Sequence, residues 1–166
     1  KHLEQKILQT LVENHPYEAV AFELHQLDNQ NSEIGMGSVG TLKQEMTEKY
    51  FLKWLGQKLE INFLRHSPFL NRKIKKVAVL GGSGSYAIPN AKEINADVLV
   101  TADLKYHDFF QAENQIFLVD GGHYETERFT KKLIHDHLIE KLPKFAIALS
   151  KSITNPVNYF YNGKKK

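Results

Sequence analysis

The segment DGGHYETE, residues 120–127, carries the strongest signal for chemistry, because it places His123 and Glu127 four residues apart at the start of a predicted helix. Residues at this spacing share one helix face, so an imidazole nitrogen and a carboxylate oxygen can bind the same metal ion. The alternative is a surface histidine beside a carboxylate that the helix dipole favours near an N-terminus. The Asp-Gly-Gly that precedes the pair at a predicted strand end favours the metal-ligand interpretation.

A second candidate is the glycine-rich segment GGSGS, residues 81–85, which follows a predicted buried strand. Glycines before a helix can form a nest of backbone N–H groups that holds an anion. The spacing matches neither the P-loop nor the dinucleotide fingerprint, and a tight turn with Ser85 as helix cap is the alternative. The predicted anion-binding residues are Gly81, Gly82, Ser83 and Gly84.

A third candidate lies in DLKYH, residues 103–107, where an acid, a cation and a titratable imidazole fall within five residues. A lysine or histidine beside a metal can orient a phosphate or act as a general acid. Helix capping by Asp103, with a solvated lysine, is an equal alternative. We take Lys105 and His107 as candidate catalytic residues and Asp103 as a candidate pocket residue.

The composition limits the metal ligands available to the chain and the classes of molecule that it can bind. The 166-residue chain contains no cysteine, so any metal site must use histidine and carboxylate ligands, and the chain fits a reducing, cytoplasmic compartment. The net charge of +3 equals the charge of the three lysines at 164–166, which argues against a basic nucleic-acid-binding face. No apolar run reaches the roughly 20 residues of a membrane span.

The elements that must position the candidates follow from apolar runs such as VAVL, DVLV and IFLV. These runs indicate strands buried on both faces, and their alternation with helices indicates an α/β fold with a mostly parallel or mixed sheet covered by helices. The carboxyl ends of such strands meet at one rim, where ligands bind. Strands are predicted over residues 76–80, 98–102, 115–119 and 145–149, and helices over 86–94, 105–114 and 124–142.

The order of these motifs resembles the NIF-three-like family, whose members often carry the name GTP cyclohydrolase type-two homologue. The resemblance rests on GGSG after a buried strand, then ADLKYHD, then DGGHYETE. HPYEAVAFELHQLDN followed by GMGSVGTL resembles the end of the PII-like or CutA-like insert domain of longer members. We therefore assign residues 1–34 to the end of a ferredoxin-like (PII-like) α+β insert and residues 35–166 to the C-terminal half of a NIF-three-like α/β/α metal-binding domain.

The resemblance implies a dinuclear metal site with His123 and Glu127 as ligands, in members that assemble as toroidal homohexamers. It implies two divalent ions per site, zinc first and iron or manganese as alternatives. Family members take a His-His pair and further ligands from an N-terminal half that this sequence does not contain. We therefore expect the chain to be part of a longer protein, or to receive the remaining ligands from a partner.

Two functions follow as hypotheses. The first is a metal-dependent hydrolase that acts on a nucleotide or another phosphorylated small molecule, with Lys105 or His107 assisting. The second is a non-enzymatic metal-binding regulatory or interaction protein with a ligand-sensing PII-like insert, since fold similarity does not determine function.

Overall fold

The computed structural model describes residues 3–25 and 35–160. The chain divides into two compact units, Lys1–Ile34 and Gly35–Lys166. No helix in the described residues is both long and apolar enough to cross a membrane.

The first unit contains the helix α1 (Glu4–Asn14). The helix ends where His15 precedes Pro16, because the residue before a proline disfavours helical backbone. The His15 backbone N–H donates to the Leu11 carbonyl at 3.0 Å. Residues 3–25 contain no strand, and the predicted end of the insert at residue 34 lies outside the described residues. The PII-like insert therefore stays a prediction.

The second unit is built on one mixed sheet of five strands. The strands are β1 (Ser38–Thr47), β2 (Arg65–His66), β3 (Lys73–Ser83), β4 (Val98–Ala102) and β5 (Phe117–Asp120), and they lie in the order β1-β3-β4-β5-β2. The central strands β3, β4 and β5 run parallel, whereas β1 and β2 pair antiparallel at the two edges. This sheet confirms the predicted α/β class.

Two helices and one strand of the second unit differ from the prediction. The helix predicted over 124–142 is divided in two, and the helix predicted over 105–114 is a 3-10 helix. The predicted strand over 145–149 is wrong, since these residues form no strand in the described part of the chain and Phe145 is exposed. The helices are α2 (Glu48–Leu59), α3 (Ile88–Glu93), α4 (His123–Glu127) and α5 (Thr130–Lys141), with 3-10 helices at Ser85–Ala87 and Tyr106–Ala112.

Apolar side chains alternate between the two faces of the sheet. In β4, Leu99 packs on the face covered by α3, whereas Val98 and Val100 pack on the face covered by α2. Both faces of the sheet are therefore shielded from water, which explains the continuous apolar sequence of the central strands. Each fully buried aliphatic or aromatic side chain stabilises the fold by about 1.5–3 kcal/mol. Phe51 and Ile88, both 0% exposed, anchor α2 and α3 to the sheet.

Candidate functional site

The carboxyl ends of the parallel strands bring together Asp103, His123 and Glu127. Asp103 directly follows β4, and His123 opens α4 three residues after β5. The Nδ1 atom of His123 lies 2.6 Å from Oδ2 of Asp103, and its Nε2 atom lies 3.3 Å from Oε2 of Glu127. The imidazole thus lies between two carboxylates, one supplied by its own helix and one by a neighbouring strand end.

The two carboxylates set the protonation of His123. Its pKa is raised above the ordinary value, first by the hydrogen bond to Asp103, with the charges of Asp103 and Glu127 adding to the effect and burial opposing it. All three side chains are about half exposed. The group is therefore accessible to solvent and to a ligand.

Two features of this group suit a divalent metal. Asp103 accepts the Nδ1–H of His123, which leaves Nε2 facing Glu127, and metal-binding histidines are commonly oriented by a carboxylate in this way. The observed 3.3 Å between Nε2 and Oε2 matches the roughly 3.3 Å between two ligands that each lie about 2.0–2.1 Å from a tetrahedral ion. Within residues 3–25 and 35–160, however, no group of three or more His, Asp or Glu side chains is arranged to hold a metal. The spacing of His123 and Glu127 thus fits two ligands of one divalent ion, and the described residues place no third ligand beside them.

Gly82 makes room for the pair. Its φ of +67° is in the left-handed region, and a Cβ there would overlap the Glu127 carboxylate and lie 3.2 Å from Nε2 of His123. The Gly82 N–H donates to Oγ1 of Thr126 at 3.0 Å, and Oγ1 of Thr101 donates to the Gly82 carbonyl at 3.1 Å. The first bond holds α4 against β3, which carries the glycine, and the second joins β4 to the same strand.

The glycine segment is largely part of β3 rather than a loop. The strand continues through Gly81, Gly82 and Ser83, and Gly84 is the cap of the following 3-10 helix. Since Thr126 already accepts the Gly82 N–H, this donor is not free for an anion. Anion binding by the segment stays a prediction, and the observed role of Gly82 is to allow the close approach of Glu127.

Within the described residues, no hydrogen bond or ion pair joins Lys105 or His107 to His123 or Glu127. The backbone N–H of Lys105 donates to Oδ2 of Asp108 at 2.8 Å at the start of the 3-10 helix. The exposed His107 ring contacts Tyr106, with ring centroids 5.2 Å apart. Neither residue lines the two cavities that adjoin α4.

Asp120, also at the sheet rim, has a structural role. It is 6% exposed, and its Oδ2 accepts bonds from Arg65 and from the Leu104 backbone, both at 3.1 Å. Its Oδ1 accepts the Gly122 N–H at 3.0 Å. A buried carboxylate with this set of donors orders the rim loops.

A cavity of about 530 Å³ adjoins the pair, and we call it the Lys131 cavity. The Nζ atom of Lys131 donates to the Ser150 carbonyl at 2.9 Å, which holds the ammonium group at the wall. One ammonium and several hydroxyls are suitable donors for an anionic phosphoryl group. Sequence reasoning missed these residues because they follow no motif. The cavity is lined by His123, Tyr124, Glu127, Arg128, Lys131, Ser150, Ser152, Thr154, Asn155, Pro156 and Val157.

A second cavity, of about 720 Å³, adjoins Glu125, and we call it the Tyr159 cavity. Glu125 is 8% exposed, and its Oε1 accepts bonds from the Tyr159 hydroxyl at 3.2 Å and the Asn155 amide at 3.3 Å. Burial, and then the charge of Glu125, raise the pKa of Tyr159. The cavity is lined by Glu60, Ile61, Asn62, Phe63, Gly121, Tyr124, Glu125, Arg128, Asn155 and Tyr159.

Comparisons with known proteins agree with the fold. The family model described as Duf34/NIF3 (NGG1p interacting factor 3) matches residues 2–156. A Bacillus subtilis protein named GTP cyclohydrolase 1 type 2 homolog is 36% identical over 96% of this chain and 44% of its own length. The chain thus spans less than half of this relative.

Solved structures of longer proteins are also similar to this chain. A Bacillus cereus protein described as related to NIF3 superimposes with a TM-score of 0.71 and 34% identity, covering 96% of this chain and 45% of that one. A Staphylococcus aureus protein superimposes with a TM-score of 0.77 and 30% identity, covering 96% of this chain and 46% of that one. The described α/β architecture is therefore shared with proteins about twice as long.

Proposed function

Because this chain belongs to the Duf34/NIF3 family, we propose that it contributes His123 and Glu127 to the divalent-metal centre of a hydrolase for a nucleotide or another phosphorylated small molecule. The observation that carries the proposal is the His123 imidazole, bound through Nδ1 to Asp103 and facing Glu127 through Nε2. The name of the Bacillus subtilis relative, GTP cyclohydrolase 1 type 2 homolog, supports a nucleotide as the substrate class.

Each described residue has a separate task in this proposal. Asp103 holds the tautomer in which Nδ1 carries the proton and Nε2 keeps its lone pair. Gly82 lets the Glu127 carboxylate lie beside that nitrogen. When bound, two divalent ions, zinc first and iron or manganese as alternatives, supply Lewis-acid polarisation and an acidified water. Lys131 binds phosphoryl oxygens in the adjoining cavity.

The remaining metal ligands come from outside the described residues. We propose that they belong to a further part of the protein or to neighbouring copies in a homohexamer, as the family resemblance implies. Lys105 and His107 line neither cavity and take no step in this proposal.

Metal titration tests the ligand assignment. We expect His123→Ala and Glu127→Ala to weaken Zn²⁺ or Mn²⁺ binding at least about tenfold, as measured by calorimetry and by elemental analysis of the purified protein. His137→Ala, an exposed histidine on α5, is the matched control and should leave binding unchanged. Equal metal binding by His123→Ala and the unmodified protein would overturn the assignment.

Turnover of a panel of nucleotides and other phosphorylated metabolites tests the reaction. We expect the assembled, metal-loaded protein to hydrolyse at least one compound, and Glu127→Ala to abolish that activity while the circular dichroism spectrum is unchanged. Stoichiometric metal without turnover would favour the alternative, a metal-binding regulatory protein.

A further inference from the structure

The wall of the Tyr159 cavity carries a net negative charge. Its charged residues are Glu60, Glu125 and Arg128. Arg128 donates to Oε2 of Glu60 at 2.8 Å and also to the Leu59 carbonyl, so the charge of Glu60 is neutralised within the wall. In the part of the chain that the structure describes, no cation forms an ion pair with Glu125. The charge of Glu125 is therefore the one that is left without an opposite charge.

Glu125 lacks a counter-charge rather than a hydrogen-bond donor. Its Oε1 accepts bonds from the Tyr159 hydroxyl at 3.2 Å and the Asn155 amide at 3.3 Å, and both donors are uncharged. Among the described residues, no buried side-chain nitrogen or oxygen is without a hydrogen-bond partner. Because Glu125 is only 8% exposed, little water screens its charge, and an opposite charge in the cavity is attracted more strongly than at an open surface. The wall thus favours a positively charged ligand that need not donate a hydrogen bond.

Two aromatic rings form a corner beside this carboxylate. The centroids of Phe63 and Tyr159 lie 4.2 Å apart, with the ring planes at 68°. Both residues are about half exposed, so each ring keeps a free surface. The face of an aromatic ring is negative and attracts a cation that lies within about 6 Å of its centroid. Since the hydroxyl of Tyr159 is bonded to Glu125, a cation in the corner is attracted by the rings and by the carboxylate together.

We propose that the Tyr159 cavity binds a small quaternary ammonium compound, of the chemical class that choline represents. The positive charge lies near Glu125, and the methyl groups contact the rings of Phe63 and Tyr159. Aromatic side chains are the usual recognition elements for quaternary ammonium groups. A primary ammonium group is a compact and strongly hydrated charge, so it loses more hydration free energy on entering such a corner. Its N–H donors bring little in return, because Glu125 already has hydrogen-bond partners.

This inference goes beyond the proposed function and does not depend on it. Neither His123 nor Glu127 lines the Tyr159 cavity, and the proposed metal and phosphoryl groups bind in or beside the Lys131 cavity. The two cavities share Tyr124, Arg128 and Asn155 in their walls. The ammonium site therefore adjoins the proposed hydrolytic site without using its residues.

Calorimetry of the purified protein tests the site with three small probes. Choline and its neutral carbon isostere, dimethylbutanol, have nearly the same shape and differ in charge, whereas ethanolamine keeps the charge and lacks the methyl groups. We expect choline to bind at least about tenfold more tightly than dimethylbutanol, the effect of cation–π attraction and a nearby carboxylate. We also expect choline to bind more tightly than ethanolamine.

Two variants separate the charge from the aromatic surface. Glu125→Gln keeps an acceptor for Tyr159 and Asn155 and removes the charge, so it should reduce the preference for choline over dimethylbutanol to less than about twofold. Phe63→Ala should weaken the binding of both compounds, because both lose contact with a ring. Glu93→Gln, which changes an exposed glutamate outside both cavities, is the matched control and should leave all three affinities unchanged.

The outcomes separate this inference from the proposed function. Equal affinity for choline and dimethylbutanol, no detectable binding of choline at millimolar concentration, or an unchanged preference in Glu125→Gln would overturn the ammonium site. Tighter binding of ethanolamine than of choline would overturn the quaternary class. If Glu125→Gln does not fold, Phe63→Ala still tests the site, because Phe63 is half exposed and lies outside the buried core. Choline binding by a protein that binds no metal would support this site and contradict the metal centre, and metal binding without choline binding would do the reverse.

Discussion

Two glutamates of α4, Glu125 and Glu127, lie in contrasting surroundings although only Thr126 separates them. Glu127 is about half exposed and faces the imidazole of His123, whereas Glu125 is buried and bonded to the uncharged side chains of Tyr159 and Asn155. An exposed carboxylate keeps its charge at low cost and can exchange a proton or ion with solvent. A buried carboxylate costs free energy unless donors surround it.

The difference explains how one short helix can serve two cavities. Residues two apart on a helix point to different sides, so Glu127 reaches the Lys131 cavity and Glu125 the Tyr159 cavity. The exposed side suits a metal that must enter from solvent. On the buried side, losing a hydrogen-bond partner costs more free energy, because water is excluded there.

The largest effect is expected from Gly82→Ala, which changes the surroundings of the half-exposed Glu127. The variant places a Cβ on a residue with φ of +67° and against the Glu127 carboxylate. We expect a loss of about 3 kcal/mol in the free energy of unfolding, and weaker metal binding because Glu127 must move. Urea denaturation measures the first effect and calorimetry the second.

Gly40→Ala is the matched control for that variant. A Cβ on Gly40 meets no atom within 4 Å, and Gly40 has no positive φ. We expect its free energy of unfolding to lie within about 0.5 kcal/mol of that of the unmodified protein. Similar losses in both variants would show that the close approach at Gly82 is not what stabilises the site.

The next effect distinguishes the two glutamates directly. Glu125→Ala leaves the Tyr159 hydroxyl and the Asn155 amide without their acceptor, so we expect a loss of about 2 kcal/mol in unfolding free energy. Glu127→Ala removes a half-exposed group and should change stability by less than about 0.5 kcal/mol. Urea denaturation of both variants checks the pair, and equal losses would contradict the contrast.

A smaller effect concerns the pH dependence of His123. Its raised pKa means that stabilisation by the protonated imidazole is fully present below the unfolded pKa and is lost as pH rises through the folded pKa. The affinity for a metal should instead increase as pH rises, because the neutral imidazole is the ligand. Asp103→Asn removes the main cause of the shift, so NMR titration of His123 should give a lower pKa. An unchanged pKa would exclude Asp103 as its cause.

The smallest effect concerns Tyr159. Its raised pKa means that stability from the neutral phenol is present below its unfolded pKa and declines as pH rises through the folded value. Glu125→Gln removes one of the causes and leaves burial, so we expect NMR titration to give a pKa closer to the ordinary value. Glu93→Gln should leave the titration of Tyr159 as it is.

Much of the fold was predictable because it depends on short-range patterns. The alternation of apolar strands with helices correctly predicted an α/β sheet, and the spacing of His123 and Glu127 correctly predicted a shared helix face. The extents of elements were less predictable. The helix predicted over 124–142 breaks between Glu127 and Thr130, and no apolar period marks that break.

The candidate site was predictable only where it is local. The contact between Asp103 and His123 joins two strand ends that are 20 residues apart. The half-buried bond between Tyr159 and Glu125 spans 34 residues. The sequence left an anion-binding nest and a tight turn as alternatives for the glycine segment, and it gave no sign that Gly82 lies against Glu127.

The sequence by itself determined the family, the α/β class and the His123–Glu127 pair, because helical and strand periods depend on neighbours along the chain. Only the tertiary structure decided which carboxylate orients His123, which one is buried, and that Lys105 and His107 lie away from both cavities. These outcomes depend on the order β3-β4-β5 and on the close packing of α4 at Gly82. Such long-range contacts leave no periodic signal in a single sequence.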